Sequence, residues 1–404
     1  MAELSSLLLA PFDHSPRTRL VFGNGTLDRV GELARELGGN RVLLVTDRGI
    51  VAAGHAERAR VALTQAGLAV TLFAEVRENP TTGDIARCLA VARDGNIDFL
   101  VGLGGGSSMD TAKGTNFLLT NGGEMKDYWG VGKATRPMLP LLAVPTTAGT
   151  GSECQSAALI ADEVTHQKMA CLDPKAAARV AVLDPELTVS QPPRVTAVTG
   201  IDALAHAVET AVSTKRNAIS VLYSHAAFKL LVPALPRVLA HPGDLAARGQ
   251  MLLGAAFAGM AIENSMLGAA HSVANPLTAH FNVVHGAAVG LMLPHVVRCN
   301  AADLTTRLAY AELAGAAELT GVSPGPDGAV AALIARLETL LNLAGIPRSL
   351  DEAGVAASQI PQLAVEAARQ WTANFNPRPL TVADFTALYE TALTPRGPGD
   401  AGRQ

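Results

Sequence analysis

Two hydrophobic periods alternate through the first half of the chain. RVLLVTD (Arg41–Asp47) is an apolar run of strand length, and Val51–Ala66 that follows has helical spacing. LAVTLFAEV (Leu68–Val76) predicts another strand and Ile85–Arg93 another helix. IDFLVGLGGG (Ile97–Gly106) reads as a strand entering a glycine turn, with helix continuing over Ser108–Leu119. MLPLLAVPTT (Met138–Thr147) repeats the strand pattern, and KMACLD (Lys168–Asp173) and RVAVLD (Arg179–Asp184) extend it. Strands apolar at nearly every position, with helices between them, are those of a parallel sheet covered on both faces. Beyond Asp184 the period changes. Thr196–Val297 is Ala- and Leu-rich with helical spacing and no strand alternation, and Ala301–Leu393 continues so, broken at Gly321–Gly328, Gly345–Arg348 and Asn376–Pro379. The pattern predicts an α/β domain with a Rossmann-like parallel sheet over residues 1–185 and an all-α domain over 186–404, with a cleft between them as the place for a site. The Pro/Gly/Arg-rich tail Pro395–Gln404 is expected to fray.

Composition narrows the function classes. Hydrophobic residues make 49 % of the 404 and charged residues 17 %, enough apolar material for two cores. With 32 Lys+Arg against 36 Asp+Glu and no basic run, a nucleic-acid partner is not expected. The longest uncharged stretches, around Pro137–Ser152 and Met251–Ile262, are too short or too rich in Gly and Thr for a bilayer, so no membrane partner is expected either. MAELSSLLLA has no basic region before its apolar patch, which argues against a secretory signal. Cys88, Cys154, Cys171 and Cys299 form no CxxC pair, as expected of a reduced, cytoplasmic protein.

GLGGGSSMDTAK (Gly102–Lys113) stands where a predicted strand hands over to a helix. Glycines let the backbone approach a phosphate, and the free N–H groups and dipole of the helix favour an anion. The pattern is neither GxGxxG nor a P-loop, and a tight turn is the plainer alternative. Asp47, at a strand tip, can accept a hydrogen bond from a ribose hydroxyl and repel a 2′-phosphate, or can cap the next helix. PTTAGTGSE (Pro145–Glu153) offers several hydroxyls in a short span, to line a cleft or to make a solvated turn.

GIDALAHAVE (Gly200–Glu209) carries Asp202 and His206 at i, i+4, on one helix face. AHSVANPLTAHFNVVHG (Ala270–Gly286) supplies His271, Asn275, His280 and His285. One carboxylate and several imidazoles can hold a divalent transition ion. Any one of them alone reads equally as a satisfied core or surface residue, so the prediction rests on the set.

Together with LDPELT (Leu183–Thr188) and NPRPLT (Asn376–Thr381), these motifs in this order resemble the iron-containing (group III) alcohol dehydrogenase family, from about Phe22 to Leu393. The resemblance implies an N-terminal dinucleotide-binding domain and a C-terminal metal-binding domain in a dehydroquinate synthase-like architecture. It implies hydride exchange between nicotinamide C4 and a small alcohol or aldehyde, with Asp202, His206, His271 and His285 holding Fe²⁺ (or Zn²⁺). It places the cofactor against Asp47, Gly104, Gly105, Gly106, Ser107, Asp110, Thr146, Thr147, Thr150, Lys168 and Leu187, with Asp47 favouring NAD over NADP. Partners are a small-molecule substrate and, as in the family, further copies of the chain in a dimer or larger assembly. One position departs: many members carry another histidine four residues after the first late ligand, and here it is Asn275, which cannot titrate. His280 is then the alternative group for proton transfer, or simply a solvent-facing residue. Neighbouring readings are a hydroxyacid-oxoacid transhydrogenase, a maleylacetate reductase-like enzyme, a dehydroquinate synthase-type lyase and a non-catalytic NAD-binding protein. PTTAGTGSE and the 14-residue step from His271 to His285 fit the dehydrogenase better, and a scaffold has no need of the Asp/His set.

Overall fold

The computed structural model describes residues 11–165, 167–321 and 323–394; the opening apolar patch and the tail 395–404 lie outside the described residues. The chain divides into two compact units, one of residues 15–191 with 243–259, the other built mainly from 192–242 and from 260 onward. The sequence boundary drawn at Pro185 did not anticipate that 243–259 groups with the α/β unit.

In that unit a six-stranded sheet is formed by β1 (Arg19–Phe22), β2 (Arg41–Val45), β3 (Ala69–Phe73), β4 (Phe99–Gly104), β6 (Leu141–Pro145) and β9 (Val180–Leu183), in the order β1-β9-β6-β4-β2-β3. Every pairing is parallel. All positions of β4, β6 and β9 are buried, which is why these segments lack polar alternation. Alternate residues feed two separate cores. Val42, Leu44, Val101 and Leu103 pack on one face, whereas Leu43, Val45 and Leu100 pack on the other. The covering helices are α1 (Val30–Glu36), α2 (Arg48–Ala52), α3 (His55–Gln65), α4 (Thr82–Asp94) and α5 (Gly106–Asn121). From β2 the chain steps outward to β3 and then returns past β2 to β4, so the winding reverses between β2 and β4. In open α/β sheets ligands bind at the carboxyl ends of the strands beside such a reversal.

A small sheet of β5 (Gly130–Val131), β7 (Ala157–Ala161) and β8 (Lys168–Leu172) has the order β5-β8-β7. The other unit is helical: α6 (Pro193–Val212), α7 (Ala218–Ala240), α9 (Ala269–Phe281), α10 (His285–Asn300), α11 (Leu304–Ala316), α12 (Pro326–Leu343), α13 (Ile360–Ala368) and α14 (Val382–Leu393), with α8 (Leu245–Glu263) crossing the division at residue 259. By length and composition α7 and α8 could cross a membrane, yet 50 % and 67 % of their most apolar windows are buried inside the protein, as in core helices. α6 is buried on nearly all sides from Thr196 to Val212. That explains its lack of a polar face.

Candidate metal centre and nucleotide-binding turn

Asp202, His206 and Glu209 stand at i, i+4 and i+7 on α6 and so form one stripe of a buried helix. Against this stripe α9 brings His271 and α10 brings His285, at its first helical residue. The close approach of α10 depends on glycine. A Cβ on Gly286 would lie 2.1 Å from the Val198 carbonyl oxygen and 3.3 Å from the Asp202 Cβ, and one on Gly290 would lie 2.5 Å from Ile201 Cγ2.

The four predicted side chains converge. Asp202 Oδ1 lies 3.5 Å from His206 Nε2, 3.6 Å from His271 Nε2 and 3.9 Å from His285 Nε2. Ligand atoms of Asp202, His271 and His285 all fall within 4.8 Å of one another, and the His206 ring stacks on His271 with centroids 5.0 Å apart. Asp202 Oδ1 and His271 Nε2 are buried and make no hydrogen bond. Buried polar atoms are ordinarily paired, so two such atoms facing each other mark a place for a shared cation. A tetrahedral ion with bonds of about 2.1 Å separates its donors by about 3.4 Å, close to the spacings here. One carboxylate with three imidazoles is also a donor set that suits a borderline divalent metal.

Electrostatics agree. Burial alone would raise the Asp202 carboxyl, but the imidazoles of His206, His271 and His285 hold it well below the usual carboxylate range. Burial alone would lower His271, but the carboxylates of Glu209 and Asp202 lift it to about 9. In the absence of another cation the site therefore keeps a proton. Glu209, which sequence reasoning left without a role, is 4 % exposed; its Oε2 pairs with His271 Nδ1 and its Oε1 accepts the Ala270 N–H at 2.7 Å. The sequence signal was its position three residues after His206, on the same stripe.

The structure does not bring the predicted His280 to this cluster. His280 follows His271 by nine residues, which turns it to the opposite face of α9. Its Nε2 meets Glu366 Oε2 at 2.7 Å, and the pair is solvent-exposed. Asn275 is one turn from His271 on the same face and donates from Nδ2 to Gln370 Oε1 at 3.0 Å.

The glycine turn lies at the reversal between β2 and β4. Gly104 has φ +145°, and a Cβ there would lie 2.4 Å from Ser108 Oγ and 3.3 Å from Asp47 Oδ2. Only glycine fits. Gly105 caps α5 without a side chain, which leaves the N–H groups of Gly106 and Ser107 at the helix N-terminus, while the Ser108 N–H turns back to the Gly105 carbonyl at 3.0 Å. Thr46 Oγ1 and Ser108 Oγ at this reversal are buried without partners. Asp47 is partly exposed and does cap α2, accepting the Ile50 N–H at 3.0 Å through Oδ1. Asp47 therefore takes the capping role through Oδ1, while Oδ2 lies beside Gly104.

PTTAGTGSE folds against the same turn. Thr147 and Thr150 face the positions that side chains on Gly105 and Gly106 would fill, at 3.4 and 3.0 Å. Thr146 is buried, and its N–H donates to the Gly104 carbonyl at 2.9 Å. Asp110 accepts from Ser152 Oγ at 3.1 Å. Lys113, fully buried, donates to Ser152 O and Oγ, Gln155 O and Ala157 O at 2.6–3.0 Å and so fastens this loop to α5. Lys168 donates to Asn79 Oδ1 at 3.4 Å, and the Asn79 N–H donates to Ser107 Oγ at 3.2 Å. Leu187 is fully buried in the core beneath the sheet, so its side chain offers no surface to a nucleotide. Gly151, with φ +63°, explains why 243–259 groups with this unit: a Cβ on it would lie 2.6 Å from Gly259 Cα. Two backbones meet there with no side chain between them.

Comparison with known proteins gives the same picture. Residues 16–185 match the family model described as iron-containing alcohol dehydrogenase, and residues 196–393 match its C-terminal counterpart. The NAD-dependent methanol dehydrogenase of Bacillus methanolicus is 35 % identical over 92 % of this chain and 97 % of its own length. A crystal structure of 1,3-propanediol oxidoreductase superposes with a TM-score of 0.91 at 32 % identity, covering 95 % of this chain and all of the other. Sulfoacetaldehyde reductase from Bifidobacterium kashiwanohense, solved in complex with NAD⁺, gives 0.86 at 28 % identity over 95 % and 99 % of the two chains. Convergent Asp/His donors, a glycine turn at the sheet's reversal and these matches together place the chain in the iron-containing alcohol dehydrogenase family.

Proposed function

We propose that this chain catalyses NAD-linked interconversion of a small alcohol and its aldehyde or ketone. The observation that carries the reading is the convergence of three imidazole nitrogens on the buried, unbonded Asp202 Oδ1. Asp202, His206, His271 and His285 would hold the divalent ion, Fe²⁺ or Zn²⁺, which supplies Lewis-acid polarisation of a carbon–oxygen bond when bound. NAD supplies the hydride acceptor at nicotinamide C4.

The protein's part is to bind and orient. Gly104, Gly105, Gly106 and Ser107 with the α5 N-terminus would seat the pyrophosphate, and Asp47 would accept ribose hydroxyls and repel a 2′-phosphate. Thr147 and Thr150 shape the same turn. Thr146, Asp110 and Lys168 act through the hydrogen bonds that hold it, and Lys113 keeps the threonine loop in place from beneath. Asn275, fixed by Gln370, can orient a hydroxyl group but cannot take its proton. A proton-transfer role for His280 has no geometric support.

The relatives act, by name, on methanol, 1,3-propanediol and sulfoacetaldehyde, which supports a small substrate here. The four free cysteines support a reducing, cytoplasmic setting. A homo-oligomeric state goes with the same reading, and light scattering of the purified protein tests it. The direct test of the chemistry uses NADH carrying deuterium at C4 with a panel of small aldehydes. Deuterium on the carbinol carbon of the product is expected. NADH left unconsumed by every aldehyde, or deuterium lost to solvent, would overturn the proposal.

A further inference from the structure

Glu209 belongs to neither predicted set, yet its two carboxylate oxygens are both engaged at the metal centre's edge. It lies one turn beyond His206 on α6 and is 4 % exposed. Oε2 pairs with His271 Nδ1, and Oε1 accepts the Ala270 N–H at 2.7 Å. The same α9 N-terminus is held from its other side by Asn376, whose Oδ1 accepts the Ala269 N–H at 3.3 Å. Gly268, just before α9, sits close against both groups: a Cβ would lie 3.2 Å from Asn376 Oδ1 and 3.3 Å from Glu209 Oε1, so a side chain there would push on them by a few tenths of an ångström.

A carboxylate on one imidazole nitrogen decides what the other nitrogen can do. Hydrogen-bonded to Glu209, Nδ1 keeps its proton, and Nε2 is then the nitrogen with a lone pair to give. Nε2 is also the atom that faces Asp202 Oδ1 at 3.6 Å. The second contact of Glu209, with the backbone N–H of the preceding residue, fixes the height of His271 on α9 as well as the orientation of its ring. We propose that Glu209 is a positioning residue that sets the tautomer and orientation of His271 and thereby the affinity of the centre for its divalent ion. This rests on the reading of Asp202, His206, His271 and His285 as metal ligands.

The experiment is Zn²⁺ binding, measured by competition with a fluorescent chelator, together with thermal unfolding of the metal-free protein, on wild type, His271→Ala and Glu209→Gln. A glutamine offers one acceptor oxygen where the carboxylate offers two, and it carries no charge. The expected result for Glu209→Gln is a Zn²⁺ dissociation constant about 10–100-fold higher. The d–d spectrum of the Co²⁺-loaded variant should shift as well. A purely structural Glu209 would instead lower the melting temperature of the metal-free protein and leave Zn²⁺ affinity and Co²⁺ spectrum unchanged; that outcome overturns the proposal. Should wild type bind no divalent ion, the ligand reading itself falls. Should wild type bind while Glu209→Gln binds equally well, only the role of Glu209 falls. If Glu209→Gln does not fold, long-range ¹H–¹⁵N spectra of the Zn²⁺-loaded wild type decide: a proton on His271 Nδ1 is expected, and a proton on Nε2 overturns the assignment.

Discussion

At the scale of single residues the centre is a problem of charge. Two carboxylates, Asp202 and Glu209, are 5 % and 4 % exposed, so each must be neutralised nearby. Around Asp202 imidazoles can do so only by keeping protons that a metal would displace, whereas Glu209 is met by His271 Nδ1 and the Ala270 N–H. Asp202→Asn and His271→Ala should each release the ion and reduce turnover by at least about 100-fold, the scale of a transition-state contact worth about 3 kcal/mol. Metal analysis and steady-state NADH oxidation check this, and full turnover by a metal-free variant would refute it. Asp47 was open in the sequence between cap and ribose ligand. The variant that separates the roles is Asp47→Asn, which keeps a capping oxygen and loses the charge. It should raise the NADP/NAD ratio of kcat/KM with little change in melting temperature; an unchanged ratio argues for the cap alone.

A further residue-scale prediction concerns pH. Burial pushes the Glu153 carboxyl up to about 7, and Glu153 Oε1 has no hydrogen-bond partner. The folded protein thus binds this proton more tightly than the unfolded chain, where a Glu titrates near about 4.3. Its contribution to stability is fully present below that value and is lost as pH rises through 7, a loss of roughly 3 kcal/mol. Urea unfolding of wild type and Glu153→Gln at pH 5 and pH 8 reads the effect. The variant should gain relative to wild type at the higher pH, and a difference that does not change with pH would contradict it.

At the scale of elements, glycine contacts place the helices and loops that carry the site. Gly286→Ala puts a methyl group 2.1 Å from the Val198 carbonyl oxygen, so α10 must move away from Asp202. It should cost about 1–3 kcal/mol and weaken Zn²⁺ binding. Gly315→Ala on the exposed side of α11, with open space around it, is the control and should be neutral or slightly stabilising. Equal melting temperatures for the two variants would show that the tight contact does not position α10.

The same contacts show what the sequence could carry. β2, β4, β6 and β9 were legible because burial on both faces leaves an uninterrupted apolar run. β1 and β7 were not: β1 is a short edge strand with Phe22 48 % exposed, and β7 buries only two of its five positions. Asp202, His206, His271 and His285 were legible through helical spacing and motif order. His280 was open between a proton-transfer group and a solvent-facing residue; the nine-residue rotation around α9 that turns it from His271 matches the second. Lys113 and Glu209 carry charges that, read alone, belong on a solvated face; their roles become visible only once burial and partners are known.

At the scale of the whole molecule, α/β and helical classes followed from the change of hydrophobic period near Asp184. The membership of 243–259 did not, because the Gly151–Gly259 contact leaves no hydrophobic signature. Each unit carries one part of the proposed chemistry, the nucleotide turn in residues 47–168 and the centre of Asp202, His206, His271 and His285. The most direct measurement of the central claim is the metal content of anaerobically purified protein alongside its rate of NADH oxidation with a small aldehyde, before chelation, after it, and after adding back Fe²⁺ or Zn²⁺. About one divalent ion per chain is expected, with loss of the rate when the ion is removed and its return when the ion is added back. A rate that survives complete removal of the metal would contradict that claim.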